Sequence, residues 1–174
     1  SFDKSCETCH GPASLHVNAG GDKTDPGFRT VKITPANVGK TCAQCHSKSH
    51  WEGSPHARAN VSCSQCHTVH SPKNSKAQLK TAKVEDTCYT CHSDVKGQMR
   101  RSSHMPLAEG KMGCGSCHDP HGTGTPKNLK AASLNQLCFQ CHQDKRGPHL
   151  WEHAPVKENC SNCHSPHGSH HDKM

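Results

Sequence analysis

Large apolar side chains are scarce in this chain. Its 174 residues include three Phe, two Trp and one Tyr, and hydrophobic residues of every kind amount to 30 % of the total. A domain of this size normally folds by burying such side chains in a common core. The composition therefore excludes an ordinary hydrophobic core, and something other than the side chains must supply the buried apolar surface.

Long hydrophobic runs are also absent. No stretch approaches the roughly 20 consecutive apolar residues that a membrane-spanning helix needs. No signal peptide is recognisable within the sequence either. We therefore expect no transmembrane segment.

Cysteine, in contrast, is abundant and regularly placed. All 14 cysteines fall in seven Cys-x-x-Cys-His motifs, at 6–10, 42–46, 63–67, 88–92, 114–118, 138–142 and 160–164. Each motif offers two thiols for thioether bonds to the vinyl groups of one haem, and a histidine for one axial face of its iron. The expected attachment residues are Cys6, Cys9, Cys42, Cys45, Cys63, Cys66, Cys88, Cys91, Cys114, Cys117, Cys138, Cys141, Cys160 and Cys163. The expected proximal ligands are His10, His46, His67, His92, His118, His142 and His164.

Other uses of such cysteines fit the sequence less well than haem attachment. A single motif of this kind also occurs in zinc knuckles and redox dithiols, but seven copies that use every cysteine leave little room for either. A secreted disulfide scaffold needs no histidine after each second cysteine. The sequence thus predicts seven covalently attached haem c groups.

Seven porphyrins would account for both the missing core and the charge. The rings supply apolar surface, and we expect the chain without them to be largely unfolded. The formal net charge of +7 would by itself suggest nucleic acid or an anionic membrane. Each ferric haem with two neutral histidines adds a charge of about −1 once its propionates are counted. The net charge of the oxidised, haem-loaded protein is therefore about zero. Nucleic-acid binding is therefore not expected.

The motifs are arranged as a repeat. Two-haem units at about 42–71, 88–122 and 138–168 follow a single-haem leader at 1–41. Because each unit must stack on its neighbours to bury its haems, we expect one heptahaem domain over 1–174. The tail from Gly168 to Met174 is expected to be mobile.

Apolar residues recur at fixed distances before the first cysteine of each unit. Four residues before it lies Val38, Val84 or Leu134, and nine residues before it lies Ile33, Leu79 or Leu129. Phe2 takes the minus-four place before Cys6. The pattern favours a short turn of helix that enters each haem site.

The sixth ligand of each iron decides what a haem does, because a strong ligand makes an electron carrier and an open position permits catalysis. Eleven histidines remain after the seven proximal ones. Repeat positions and spacing select seven of them as distal ligands: His16, His56, His70, His104, His121, His153 and His167. The match in number favours bis-histidine ligation throughout. His50, His149, His170 and His171 are interpreted as surface or tail residues.

Three of these candidates follow a proximal histidine by three residues: His70, His121 and His167. Such a residue lies on the same side of the ring as the tethered chain, so it does not readily reach the opposite face of its own haem. We expect it to bind the iron of a neighbouring haem and draw the two porphyrins together. Which haem each distal histidine serves stays open at this point.

The chain resembles the multihaem cytochromes with doubled Cys-x-x-Cys-His motifs. These include the pentahaem NrfB-like donors of periplasmic nitrite reduction and the decahaem MtrA/DmsE family of outer-membrane electron conduits. The resemblance covers nearly the whole sequence. It is carried by Cys-His-Gly-Pro-Ala-Ser-Leu-His16, His50-Trp51-Glu-Gly-Ser-Pro-His56, and the endings Cys-His-Asp-Pro-His121-Gly and Cys-His-Ser-Pro-His167-Gly. The motif count of seven differs from both five and ten.

The resemblance implies a fold and a function. The fold is a mostly irregular chain with a few short α-helices and little or no β-sheet, organised around a row of seven bis-histidine haems. The function is non-catalytic electron transfer from a quinol-linked or periplasmic donor to an outer-membrane, extracellular or reductase acceptor. Haem c attachment places the chain in the periplasm, with a signal peptide removed or lying before Ser1. An outer-membrane-associated or extracellular location is the alternative.

Two other functions stay open at the level of sequence. A multihaem reductase of the nitrite or hydroxylamine type needs one haem with an open iron position and a pocket with acid–base groups. A subunit of an extracellular cytochrome filament needs haem stacking between copies of the chain. Neither composition nor motif spacing decides on self-assembly.

Overall fold

The described part of the chain is a series of short helices joined by turns. A computed structural model describes residues 6–22, 24, 32–46 and 50–172, and the expectations that fall on Phe2 and on the tail residues Lys173 and Met174 lie outside these ranges. The described residues form ten α-helices of four to six residues. These are α1 (Cys6–His10), α2 (Ser14–Asn18), α3 (Val38–Ala43), α4 (Pro55–Arg58), α5 (Cys63–Cys66), α6 (Val84–Tyr89), α7 (Ser93–Gln98), α8 (Cys114–Cys117), α9 (Leu134–Cys138) and α10 (Ala154–Glu158).

Turns and isolated bridges make up the rest of the described ranges. Single 3₁₀ turns lie at Trp51–Gly53, Pro126–Asn128, Gln143–Lys145 and Cys160–Asn162. These ranges contain no strand, and their β-pairing is confined to isolated bridges. The predicted fold class, mostly irregular with short α-helices and little or no sheet, is confirmed.

The chain divides into two compact units. One comprises Ser1–Lys48 with Val61–Gln65, and the other comprises Ser49–Asn60 with Cys66–Met174. The first unit contains α1, α2 and α3. The second contains the other helices apart from α5, where the division falls.

The minus-four apolar residue is the first residue of a helix in all three repeats. Helices α3, α6 and α9 begin at Val38, Val84 and Leu134, and each contains the first cysteine of its unit. In α9 the hydroxyl of Ser133 caps the helix by accepting a hydrogen bond from the amide of Gln136 at 3.2 Å, which satisfies one of the open amides of the first turn. The predicted helical turn into each unit is confirmed.

The minus-nine leucines hold the second motif of the preceding unit. Leu79 forms an antiparallel bridge with His67, and Leu129 forms the equivalent bridge with His118. Neighbouring amides complete each bridge, from Lys80 to the carbonyl of Cys66 at 3.1 Å and from Lys130 to the carbonyl of Cys117 at 2.9 Å. Each proximal histidine therefore lies against a fixed piece of backbone.

The turn before each leucine requires an unusual backbone conformation. Gln78 and Asn128, which directly precede Leu79 and Leu129, have φ values of 53° and 55°. A positive φ is energetically costly for a residue that has a Cβ atom. The two turns therefore share a positive φ at the residue before the leucine, but Lys127 also has a positive φ of 57°, and its counterpart Ala77 does not.

Few hydrophobic side chains are buried in the described ranges. Val38, Leu79 and Leu137 are the buried hydrophobic residues there, with exposed fractions of 8 %, 6 % and 8 %. This agrees with the composition, which provides no conventional core. In the same ranges, the helices are too short and too polar to cross a bilayer.

The expectation of a mobile tail from Gly168 is wrong for its first residues. Gly168 is buried, and Ser169 pairs with Ser103 through two backbone hydrogen bonds of 2.7 and 3.2 Å. Arg101 also donates a hydrogen bond to the carbonyl of Gly168 at 3.0 Å. Sequence reasoning missed these contacts because the partners are more than 60 residues away along the chain.

Candidate haem-binding sites

The Cys-x-x-Cys-His motifs fold as single helical turns. In five of them the histidine amide donates to the carbonyl of the first cysteine at 2.9–3.0 Å; the donors are His46, His92, His118, His142 and His164. Residues at positions i, i+3 and i+4 lie on one side of a helix. The local fold therefore presents both thiols and the histidine toward one side, which is what attachment to a single ring and ligation of its iron require.

All 14 thiols are free of disulfides. In each two-motif repeat, the first cysteine of the first motif is hydrogen-bonded to the first cysteine of the second. The pairs are Cys42 with Cys63, Cys88 with Cys114, and Cys138 with Cys160. The tethers of the two haems in a repeat therefore begin side by side.

The thiol pairs have perturbed acidities. The hydrogen bond from Cys88 lowers the pKa of Cys114 to about 7, while that bond and burial raise the pKa of Cys88. Burial, with a further contribution from Cys160, raises the pKa of Cys138 to about 11. Burial also raises the pKa of Cys42. The shifts show that the donor cysteine of each pair is partly withdrawn from solvent.

Three pairs of histidine rings lie close together at similar distances, two of them with interplanar angles of 18° and 29° and the third, His56 with His92, edge to face at 62°. The ring centroids of His67 and His121 are 5.8 Å apart, those of His118 and His167 are 6.1 Å apart, and those of His56 and His92 are 6.2 Å apart. Each pair contains one expected proximal ligand and one expected distal ligand. His121 and His167 lie beside a neighbouring motif rather than their own.

The separation of the rings suits one iron between two imidazoles. Metal–nitrogen bonds of about 2 Å on each side, plus about 1 Å from each nitrogen to its ring centre, place the two centroids roughly 6 Å apart. Aromatic rings that simply pack against each other also lie at such centroid distances. Such packing does not, however, explain why each of the three pairs joins a proximal position to a distal one.

Backbone carbonyls orient three of these rings. The Nδ1 atoms of His67, His118 and His56 donate to the carbonyls of Ala77, Lys127 and Pro120, each at 2.9 Å. A carbonyl can only accept, so Nδ1 carries the proton and the lone pair lies on Nε2. This is the tautomer that a metal-ligating histidine needs, with its other nitrogen fixed by an outer partner.

The surroundings of His167 favour the neutral imidazole that ligation needs. Burial and the neighbouring His118 keep the pKa of His167 below its usual value. His121 has a carboxylate near its other nitrogen, with Asp119 Oδ1 lying 3.4 Å from Nδ1.

The other distal candidates are positioned differently. The Nδ1 atom of His104 donates to the carbonyl of Arg101 at 2.8 Å, and its Nε2 atom lies 3.3 Å from Glu109 Oε1. The bonds to Arg101 and Glu109 raise the pKa of His104, so here its Nε2 faces a carboxylate rather than a second histidine. His153 is exposed just before α10.

His16 and His70 lie close in sequence to the first and third motifs. His16 is in the middle of α2, and His70 follows α5 by four residues. Among the proximal histidines, His10 ends α1 and His142 precedes the 3₁₀ turn at Gln143–Lys145.

Sequence reasoning missed the carbonyls that orient the histidines. Ala77 and Lys127 act through the backbone, so their side chains carry no signal. The leucine that recurs nine residues before the first cysteine was the sequence signal for these turns, because Ala77 lies two residues before Leu79 and Lys127 lies two residues before Leu129. Pro120 stands inside the quoted Cys-His-Asp-Pro-His ending, but its contact with His56 spans 64 residues of chain.

Comparison with known proteins identifies the family. The model of the doubled CXXCH motif family matches residues 55–97, 104–147 and 153–174. The first match begins next to His56 and includes the motif of His92, so it contains both members of one ring pair. "Multiheme cytochrome MtrA" from Shewanella baltica (strain OS185) is 40 % identical over 157 residues, which is 88 % of this chain and 46 % of that relative. The chain thus spans about half the length of this relative.

The predicted resemblance is confirmed, since the family model matches more than half of the residues. The doubled motifs indicate covalently bound haem c, and the free thiols, helical turns and facing histidines described above suit that group. The chain belongs to the doubled CXXCH motif family of multihaem c-type cytochromes.

Proposed function

We propose that the chain transfers electrons through seven bis-histidine haem c groups within a single domain over 1–174. A single-haem leader at 1–41 would precede the two-haem repeats at about 42–71, 88–122 and 138–168. The carrying observation is the set of three ring pairs at 5.8–6.2 Å. Strong ligands on both faces of an iron exclude substrate and favour outer-sphere electron transfer.

We assign the ligand pairs by the proximity of the rings. His121 would be the second ligand of the iron tethered next to His67, His167 that of the iron next to His118, and His56 that of the iron next to His92. The remaining proximal ligands, His10, His46, His142 and His164, are assigned to the remaining distal set, His16, His70, His104 and His153. In the three described pairs, each ligand comes from a different repeat than the motif it serves.

The chain's residues then have three tasks. The two cysteines of each motif would tether one ring, and the contacts of Cys88 with Cys114 and of Cys138 with Cys160 would bring the tethers of two rings together. Histidines would bind the iron on both sides, and the carbonyls of Ala77 and Lys127, which accept from Nδ1 of His67 and His118, would leave Nε2 of each ring available to the metal. When bound, haem iron cycles between the ferric and ferrous states and passes single electrons to a neighbouring centre.

The similar protein from Shewanella baltica is a multiheme cytochrome, which supports electron transfer as the activity, and this chain covers 46 % of its length. We propose redox proteins as partners: a quinol-linked or periplasmic donor, and an outer-membrane, extracellular or reductase acceptor. We place the chain in the periplasm, with association at the outer membrane or release to the exterior as the alternative.

Mass spectrometry with spin-state spectroscopy tests the proposal. The intact protein should carry one haem per motif. Its oxidised electron paramagnetic resonance spectrum should show low-spin iron, and its reduced form should bind no carbon monoxide. A high-spin iron that binds nitrite or hydroxylamine and turns it over would instead support a reductase. A low-spin signature that is complete only in self-assembled protein would support a filament subunit.

A further inference from the structure

One short segment contacts two ligand pairs at once. Residues 119–122 bring His121 to within 5.8 Å of His67, centroid to centroid. The next residue back, Pro120, accepts the Nδ1–H hydrogen bond of His56 at 2.9 Å. His56 in turn faces His92. Two proposed ligand pairs therefore depend on the position of this four-residue stretch of backbone.

Gly122 fixes this segment against the preceding repeat. It is buried and has a φ of +112°, which is in the region that favours glycine. A Cβ built on it would lie 2.5 Å from the carbonyl oxygen of His50 and 3.0 Å from Cβ of Ser54. Neither neighbour moves easily, because one is backbone and the other is fully buried.

The surface that Gly122 touches is itself part of the ligand framework. Ser54 caps α4 by accepting a hydrogen bond from the amide of Ala57 at 3.1 Å, and α4 carries His56. The Trp51 ring lies 6.5 Å from that of His121. Close approach at Gly122 thus holds the two ligand-bearing segments against each other.

We propose that Gly122 is a positioning residue that couples the axial ligation of two haems, those tethered at Cys63/Cys66 and at Cys88/Cys91. This inference rests on the bis-histidine ligation proposed above. A side chain at position 122 would push the segment away from His50 and Ser54. Since Pro120 and His121 lie on the same rigid turn, the displacement would withdraw His121 from one iron and release the ring of His56 from the carbonyl that orients it toward the other.

The next repeat contains the same arrangement with one difference. Gly168 is also buried, has a φ of +134°, and leaves no room for a Cβ beside the carbonyl of Gln98. It follows His167, which faces His118. The Nδ1 atom of His104, however, bonds to Arg101 within its own repeat. The contact between Pro120 and the ring of His56 therefore has no counterpart at Gly168, although Gly168 also packs against Ser103, the residue before His104.

Carbon monoxide titration of the reduced, fully haem-loaded protein tests the coupling. Covalent attachment keeps the haem count unchanged in a variant, which mass spectrometry verifies. We expect Gly122→Ala to bind two equivalents of carbon monoxide, Gly168→Ala one, and His121→Ala one. Gly124→Ala is the matched control, because a Cβ there meets nothing within 4 Å, and it should bind none.

Each outcome separates the coupling from the proposed function. The coupling is overturned if Gly122→Ala binds one equivalent or none, or if it differs from Gly124→Ala only in thermal stability. Carbon monoxide binding by the unaltered protein would instead contradict bis-histidine ligation itself. Oxidised spectra of Gly122→Ala give an independent measure, because two irons should change from low spin to high spin.

Discussion

Replacing His167 with alanine should open the iron of a neighbouring motif rather than that of its own. His167 follows the motif at 160–164 by three residues, but its ring lies 6.1 Å from that of His118. The variant should therefore expose the haem tethered at Cys114 and Cys117. The haem at Cys160 and Cys163 should keep its ligands.

The size of the effect follows from the number of ligands lost. One iron of the seven expected should become high-spin and bind one equivalent of carbon monoxide in the reduced protein. If imidazole binds the ferric iron about 100- to 1,000-fold more tightly than the ferrous iron, its loss raises that haem's potential by roughly 120–180 mV, at about 59 mV per tenfold for one electron. The other potentials should move much less, since their ligands are unchanged.

Haem-deleted backgrounds identify which iron has opened. In Cys114→Ala/Cys117→Ala the relevant haem is absent, so adding His167→Ala should create no carbon monoxide site. In Cys160→Ala/Cys163→Ala, which lacks the haem of the His164 motif instead, adding His167→Ala should still create one carbon monoxide site. The opposite pattern would refute the assignment of His167 to its neighbour, and with it the interlocking of repeats. Intact mass, showing one haem fewer in each background, is the necessary control.

Three further predictions concern stability. Leu79→Ala should reduce the free energy of unfolding by about 2–4 kcal/mol, because a buried leucine that packs against the His67 turn is lost. Chemical denaturation measures this loss. Leu129 is less buried, so Leu129→Ala should reduce the free energy of unfolding by less. Ser54→Ala removes the cap of α4 and should cost about 1 kcal/mol, with faster amide exchange at Ala57 than in the unaltered protein. Chain produced without haem attachment should lack stable structure, since too few hydrophobic side chains are buried to fold it; a cooperative thermal transition by circular dichroism would contradict this.

Much of the haem framework was predictable because it is local. A Cys-x-x-Cys-His motif contains its attachment and proximal ligand within five residues, so one helical turn is enough to assemble it. The minus-four residues Val38, Val84 and Leu134 likewise predicted the helices that begin there. The prediction that His121 and His167 serve neighbouring motifs also came from local geometry, since a histidine three residues after the proximal one does not readily reach the opposite face of its own ring.

The pairing of particular histidines was beyond the sequence. His56 meets His92 across 36 residues and His121 meets His67 across 54, and no periodicity ranks one such contact above another. The roles of the Pro120 carbonyl and of Gly122 were equally hidden, because a backbone oxygen and a missing Cβ leave no chemical signature in the residue type. The tail at Gly168 and Ser169 was misjudged for the same reason.

The sequence by itself determined that this is a doubled-motif multihaem c-type cytochrome with short helices, because covalent attachment and the scarcity of apolar residues are properties of composition and short-range spacing. The tertiary structure alone decided which histidines face each other and which backbone groups orient them. Those choices depend on how successive repeats pack, and packing brings together residues that are far apart along the chain.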